Sequence, residues 1–370
     1  MTKELEHSSW VLRDERRVDI VVGPGARHVL ARLVGELGDY SMIVIVADSG
    51  LPGRFVDEVA GVLRQSGARV ESLAPGSGEE LKTLHMAEKL WRWLLRVGAD
   101  RGTLLVAYGG GALSDTAGFV AATYMRGIDW AVLPTTLLSM ADAAAGGKTA
   151  INLGAKNIVG AFHHPRLIVA DTEHLETLSE RDYVSGLAEV VKHALLEGRW
   201  FLDWLVARRE EILGRRHEAL ARMIRMSLDA KMRIVSRDPR EEKGDRMLLN
   251  LGHTVAHVVE KATGYQLRHG EAVSMGLVVE AKLATRITGL PGEELEEIMR
   301  VLSGFGLPTR PPRDLDPGEA LRLAMLDKKR RGDKITLPLL KRIGEPVLVE
   351  LGLEEALRLL RDAWEEVLRA

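Results

Sequence analysis

The stretch "TLLVAYGGGALSDTAGF", Thr103 to Phe119, reads as a buried strand, a triple-glycine turn and then a helix. Gly109, Gly110 and Gly111 remove side chains where a backbone must approach a ligand closely. The helix that follows offers unpaired N–H groups and the positive end of its dipole, which suits a pyrophosphate. A triple glycine alone marks a tight turn. Set between a strand and a helix, it points to binding of a dinucleotide through the backbone. Asp115 falls near the helix start, where it could cap the helix or accept a hydrogen bond from the ribose or nicotinamide side of such a ligand.

The same rhythm extends outward from this stretch. "VDIVV" (18–22) precedes the helical "GPGARHVLARLVGEL", "MIVIVAD" (42–48) precedes "GRFVDEVAGVLRQSG", and "ARVESL" (68–73) precedes the amphipathic "EELKTLHMAEKLWRWLLRVG". Alternating strands and helices predict a parallel sheet covered by helices. Asp48 ends an early strand, where it would meet an adenosine ribose hydroxyl or cap the next helix. From about Ser179 the strand signals fade. "SERDYVSGLAEVVKHALLEG", "HEALARMIRMSLDAKMRIVSRD" and "EAVSMGLVVEAKLATRITG" all carry helical periodicity. A late β pair, "KITLPLL" and "PVLVEL", precedes a closing helix, "LEEALRLLRDAWEEVLRA". The expected organisation is an N-terminal α/β domain over 1–175 and a mainly α-helical domain over 176–370, with the active site in the cleft between them.

A chain of 370 residues, 46% hydrophobic and 28% charged, is long enough for two cores. Its net charge of -2, without a long run of one sign, argues against a nucleic-acid surface. The basic run "DKKRRGDK" (327–334) reads as a solvated loop. No run of about 18 apolar residues suggests a membrane span. The charged start "MTKELEHSSW" lacks the apolar core of a signal peptide, so a cytoplasmic location is expected. There are 0 cysteines, which excludes thiolate chemistry and leaves any metal to His, Asp or Glu. Amides are scarce, which draws attention to Asn152, Asn157 and Asn250.

"RMLLNLGHTVAHVVEKATG", Arg246 to Gly264, reads as a helix with His253 and His257 on one face. Glu189 in "SGLAEVVKHALL" and His269 in "RHGEAVSMG" are further candidate ligands, and a catalytic zinc commonly takes three. His193 and His217 read as structural histidines. Lys192 lies three residues after Glu189, and Lys231, Arg246 and Asn250 add cations and an amide. Such a set suits a small, polyanionic, hydroxylated substrate. The segment from Tyr124 to Gly160 is unusually polar, with Arg126, Thr135, Thr136, Asp142, Lys148, Lys156 and Asn157. Its "GGKT" resembles the end of a nucleotide-binding P-loop, but Ala141 or Asp142 stands where the first glycine belongs. Lys148 and Asn157 therefore read as phosphate or hydroxyl ligands presented on a hairpin.

Taken together, these blocks resemble the 3-dehydroquinate synthase family of the sugar-phosphate cyclases. The resemblance runs from about Asp48 to Lys334. It rests on "GEELK" (78–82), "GGGALSDTAGFVAATYMRG" (109–127), "PTTLLSMADAAAGGKTAIN" (134–152), "KNIVGAF" (156–162), "GLAEVVKHAL" (186–195), "RMLLNLGHTVAHVVE" (246–260), "HGEAVSMG" (269–276) and "DKK" (327–329), in that order. It implies a Rossmann-like NAD-binding domain followed by a helical metal-binding domain. The implied metal ligands are Glu189, His253 and His269, with zinc or cobalt as the ion. His257 would instead face the substrate. Implied NAD contacts are Asp48, Glu79, Lys82, Gly110, Gly111, Asp115, Thr135, Thr136 and Lys156. The substrate would meet Asp142, Lys148, Asn157, Lys192, Lys231, Arg246, Asn250 and His257. Arg126 resembles an arginine that reaches a neighbouring subunit's site, which implies a homodimer. Lys334 is a further, less specific match. Departures from the family pattern are Ser114 for glycine, Ala143 to Ala145 for serines, Ala256 for glycine and "HHP" (163–165) for an aromatic-Gln-Pro.

The implied reaction converts 3-deoxy-D-arabino-heptulosonate 7-phosphate to 3-dehydroquinate with loss of phosphate. It proceeds by oxidation at C5, phosphate elimination with the substrate's own phosphate as base, reduction, ring opening and aldol closure. Within the superfamily, a cyclase for sedoheptulose 7-phosphate or glucose 6-phosphate would lack the substrate carboxylate that Lys231 and Arg246 could hold. A metal-dependent polyol dehydrogenase would share the two domains but accumulate NADH and need fewer cations. A catalytically dead binding protein would have no reason to keep the whole set of candidate ligands.

Overall fold

The computed structural model describes residues 17–325 and 333–369. The first sixteen residues and most of the basic run, including "DKK", fall outside them. The first half alternates β1 (Asp19–Gly23), α1 (Leu30–Leu37), β2 (Met42–Asp48), α2 (Gly53–Arg64), β3 (Arg69–Gly76), α3 (Leu84–Val97), β4 (Thr103–Gly109), α4 (Gly111–Thr123) and β5 (Trp130–Pro134). An antiparallel hairpin of β6 (Lys148–Ile151) and β7 (Val159–Phe162) follows, then β8 (Leu167–Asp171). The second half holds α5 (Glu180–Glu197), α6 (Arg199–Ala207), α7 (Arg209–Leu213), α8 (His217–Arg237), α9 (His253–Ala262), α10 (His269–Ile287), α11 (Gly292–Gly304) and α12 (Pro317–Met325). The β9 (Lys334–Arg342) and β10 (Glu345–Gly352) pair and α13 (Leu353–Arg369) close it.

Six strands form one sheet in the order β1-β8-β5-β4-β2-β3, with every pair parallel. The apolar runs of β2 and β4 fit this position, because both faces of a parallel sheet are covered. One face carries Ile43, Ile45, Leu104, Val106 and Tyr108 and packs with Leu30, Val34, Val59 and Leu63 of α1 and α2. The alternate residues Met42, Val44, Val46, Leu105 and Ala107 face α3 and α4 in a core that continues into the helical half.

Several expectations need correction. The strands β5 and β8 are missing from the rhythm as read, and β8 lies inside the sheet between β1 and β5. The helix after β3 begins at Leu84, where Thr83 accepts the Met86 N–H, and not at Glu79. Most consequential, Arg246 to Gly264 is not one helix. A 3-10 turn spans Asp245–Asn250, the chain breaks at Gly252, and α9 starts at His253. Gly252 has φ 80, and a Cβ there would meet Leu277 at 2.9 Å. Only glycine fits this left-handed, crowded position.

Candidate active site

The break at Gly252 places His253 on the first turn of α9, and His269 likewise opens α10. Both imidazoles meet Glu189 of α5, whose side chain is 0% exposed. His253 Nε2 lies 3.3 Å and His269 Nε2 3.4 Å from Glu189 Oε1. Each histidine has a partner for its other nitrogen. His253 Nδ1 is 3.2 Å from the Leu251 carbonyl, and His269 Nδ1 is 3.2 Å from Glu260 Oε1. Such bonds fix the ring and turn Nε2 toward a metal. The Glu189 carboxylate is buried, with Lys192 at Oε2 and the two imidazoles at Oε1. A buried carboxylate is paired or coordinates a metal, and the three ligand atoms lie within 4.8 Å of one another. The residues fit a three-ligand divalent site.

His257 is exposed on α9, its ring 5.6 Å from that of His253. It therefore stands beside the triad and outside it. Lys192 pairs with Glu189 Oε2 and lies 4.0 Å from Asp142 Oδ1. Lys231 of α8 lies 2.9 Å from Asp142 Oδ1 and donates to the Asp142 carbonyl at 2.8 Å. Burial alone would push Asp142 up; Lys231 and Lys192 outweigh it and hold its carboxyl well below the usual range. Against the same opposing burial, Lys192 and His253 hold Glu189 low. Burial pulls Lys231 down, and Lys192 adds to the effect. For His269, burial is overcome by Glu189 and Glu260, which push it up to about 10.

His193 is buried and structural, as read, and it lies against the site. Its Nε2 is 3.2 Å from Asp142 Oδ1, and its Nδ1 is 2.7 Å from Ser227 Oγ, which donates to the Ala141 carbonyl. It thus braces the short π-helical turn Ser139–Ala143 that carries Asp142. His217 is structural as expected, pairing with Glu176 and Thr172. Arg246 is buried, donates from Nη1 to the Pro239 carbonyl at 2.8 Å, and keeps an unpartnered Nε. Asn250 is exposed at the end of its 3-10 turn.

At the glycine turn, a Cβ on Gly109 would lie 2.7 Å from Leu113 and 2.9 Å from Asp48. A cavity of about 650 Å³ lies over it, lined by Asp48, Glu79, Gly110, Gly111, Thr135 and Thr136 and reaching His269. Asp48 caps no helix; its Oδ1 accepts the Gly50 N–H at 2.9 Å. Asp115 caps none either, and pairs with Lys82 at 2.5 Å. Lys82 also bonds Asn157, whose N–H donates to Asn152 Oδ1 at 2.9 Å, while Asn152 Nδ2 donates to Glu79 at 2.9 Å. Asn152 thus ties Glu79 to the hairpin loop. Lys156 sits 3.9 Å over the Tyr265 ring. Ser114, the departure in the turn, returns its hydroxyl to the Gly110 carbonyl at 3.1 Å.

Lys148 lies on β6 and pairs with Glu241 at 2.6 Å. Arg126 is exposed beyond the far end of α4, about 20 Å by helix rise from the glycine turn. Lys334 pairs with Glu350 across the β9–β10 hairpin at 2.6 Å. Glu260, Glu280 and Glu241 escaped the sequence reading, and Asn152 was singled out without a role. Buried Glu280 accepts the Gly252 and Val255 N–H groups at 2.7 and 3.2 Å and so anchors the start of α9.

Comparison with known proteins agrees with this geometry. A family model described as "3-dehydroquinate synthase N-terminal" matches residues 73–185, and "3-dehydroquinate synthase C-terminal" matches 186–330. A 3-dehydroquinate synthase of Aeropyrum pernix is 43% identical over 351 residues, 95% of each chain. One of Halorhodospira halophila is 40% identical over 355 residues, 95% of this chain and 97% of that one. A solved 2-deoxy-scyllo-inosose synthase, complexed with carbaglucose-6-phosphate, NAD+ and Co2+, superposes with a TM-score of 0.82 at 27% identity, covering 93% of this chain and 96% of that one. The chain belongs to the 3-dehydroquinate synthase family and is an enzyme of its phosphate-eliminating, lyase class.

Proposed function

We propose that the chain converts 3-deoxy-D-arabino-heptulosonate 7-phosphate into 3-dehydroquinate and phosphate, with NAD used catalytically and a divalent ion, zinc or cobalt, held by Glu189, His253 and His269. The observation that carries this reading is the buried Glu189 carboxylate, shared between two imidazoles and Lys192, beside Asp142 and Lys231. A nucleophile-based hydrolase would not gather these groups next to a glycine turn.

When bound, NAD supplies the acceptor and later the donor of a hydride, and the divalent ion polarises the hydroxyl that is oxidised. The chain does the rest by position and charge. Lys192 and Asp142 orient hydroxyls beside the ion site. Lys231 and Arg246 clasp the carboxylate, with Asn250 nearby; the unpartnered Arg246 Nε supports that role. Lys148, Asn157 and His257 hold the phosphate, and Arg126 reaches it from the second copy of a homodimer. The cofactor lies over Gly110 and Gly111, with Asp48, Glu79, Lys82, Asp115, Thr135, Thr136 and Lys156 around it. We retain the division into residues 1–175 and 176–370, with the site in the cleft between them, and a cytoplasmic location. Among the described residues, no helix is long and apolar enough to cross a membrane.

The test is to follow phosphate release and NADH absorbance together, on metal-loaded protein with catalytic NAD and the heptulosonate phosphate. Many phosphates released per NAD, without lasting NADH, supports the reading. Stoichiometric NADH without phosphate refutes it. Phosphate released only from sedoheptulose 7-phosphate replaces the substrate and keeps the mechanism.

A further inference from the structure

A cavity of about 430 Å³ beside the β6–β7 hairpin is lined by Lys148, Asn157, Asp115, Phe162 and one unexpected carboxylate, Glu241. Glu241 lies 2.6 Å from Lys148 Nζ. It comes from the loop between α8 and the 3-10 turn at Asp245, and it holds φ 59. A glutamate adopts that left-handed conformation only where its surroundings enforce it.

The enforcing group is Asp238, whose side chain is buried. Its carboxylate accepts the N–H groups of Glu242 at 2.8 Å, Lys243 at 3.1 Å, Gly244 at 3.1 Å and Arg246 at 3.4 Å. The Glu241 N–H donates to the Asp238 carbonyl at 3.3 Å. One buried carboxylate thus folds the loop that aims both Glu241 and Arg246 at the site. The placement of Glu241 is built in, and it sets an anion against an ammonium that the proposed reaction needs for a phosphate dianion. Both anions compete for the same three N–H donors, and they repel each other at contact range.

We propose that Glu241 is a resident competitor for the substrate's phosphate. Its carboxylate occupies Lys148 in the ligand-free enzyme, yields Lys148 when the phosphate arrives, and takes it back as inorganic phosphate departs. The elimination leaves its product anion in a pocket of cations, and a carboxylate ready to re-pair with Lys148 speeds the exit. The inference rests on the assignment of Lys148 to the phosphate.

The experiment titrates inorganic phosphate into the NAD- and zinc-loaded enzyme by calorimetry. It compares wild type, Glu241→Gln, Lys148→Ala and the double variant. Glu241→Gln keeps the shape and removes the charge, so phosphate should bind about two- to five-fold tighter, the range of a half-exposed ion pair. That gain should vanish when Lys148 is also alanine. If Lys148→Ala weakens phosphate but Glu241→Gln changes nothing, the competitor role is wrong and the phosphate assignment stands. A gain that persists without Lys148 also overturns the role. If neither single variant alters phosphate binding, the assignment itself fails and the inference falls with it.

Discussion

Glu260 should control how tightly the site holds its metal. Its carboxylate touches no other proposed ligand; it accepts from His269 Nδ1 at 3.2 Å and turns Nε2 toward Glu189. In Glu260→Ala the imidazole loses the Glu260 carboxylate from that nitrogen and can rotate or change tautomer. Loss of such an outer partner typically weakens a metal by 10- to 100-fold, or about 1.4–2.7 kcal/mol. In Glu260→Gln the amide oxygen can still accept the same N–H without its charge, so the loss should be smaller. Zinc affinity measured by competition with a chromogenic chelator gives the order wild type, then glutamine, then alanine. Thermal melts of the metal-free proteins check that the fold survives. Equal zinc affinity in wild type and Glu260→Ala would refute the idea that His269 is a ligand oriented through Nδ1.

Other outcomes follow from the same structure. His257→Ala should bind one zinc as wild type does, measured by metal analysis, yet raise KM for the phosphorylated substrate; loss of the metal would place His257 among the ligands. Gly252→Ala should cost about 2–5 kcal/mol in urea unfolding, combining a left-handed alanine with overpacking against Leu277; a change under 1 kcal/mol would show that the α9 start can shift freely. Burial holds His174 below its ordinary 6.5, and Asp171 only partly offsets this. The unfolded chain therefore takes up a proton first, so this contribution to stability is full above about pH 6.5 and is lost as the pH falls through that value. The melting temperature of His174→Gln should fall less steeply than that of wild type between pH 7 and 5, and parallel curves would count against a buried neutral His174.

The regular parts of the fold were legible because burial writes itself locally. The β2 and β4 runs are apolar from Met42 to Ala47 and from Leu104 to Ala107, and α8 and α13 repeat their apolar residues at helical spacing. β8 is as apolar as β2 but only five residues long, and no helix precedes it to mark the rhythm. The break at Gly252 was hidden for a different reason. Its cause is Leu277, 25 residues later, and the Glu280 carboxylate that holds the new helix start. Site residues on recognisable blocks, such as Glu189, His253 and His269, were found through resemblance, and the structure brings those three together. The supports were not found. Glu241 acts on a partner far along the chain, Glu260 acts on His269 across a helix boundary, and nothing in their own neighbourhoods announces it.

The place of β8 between β1 and β5 also sets a timetable. Strand β1 has no other partner in the sheet, and its first residue pairs with Leu167, about 150 residues downstream. At 5–20 residues per second, a ribosome needs roughly 8–30 s to make that partner. Strands β2 to β5 can assemble meanwhile, since each finds its neighbours among themselves. Among the described strands of this sheet, the first made is therefore the last to dock, and the nascent chain carries an unpaired strand for about two-fifths of its synthesis. Aggregation and chaperone capture during biosynthesis should accordingly depend on the Val18–Val22 segment more than on any part of the catalytic half.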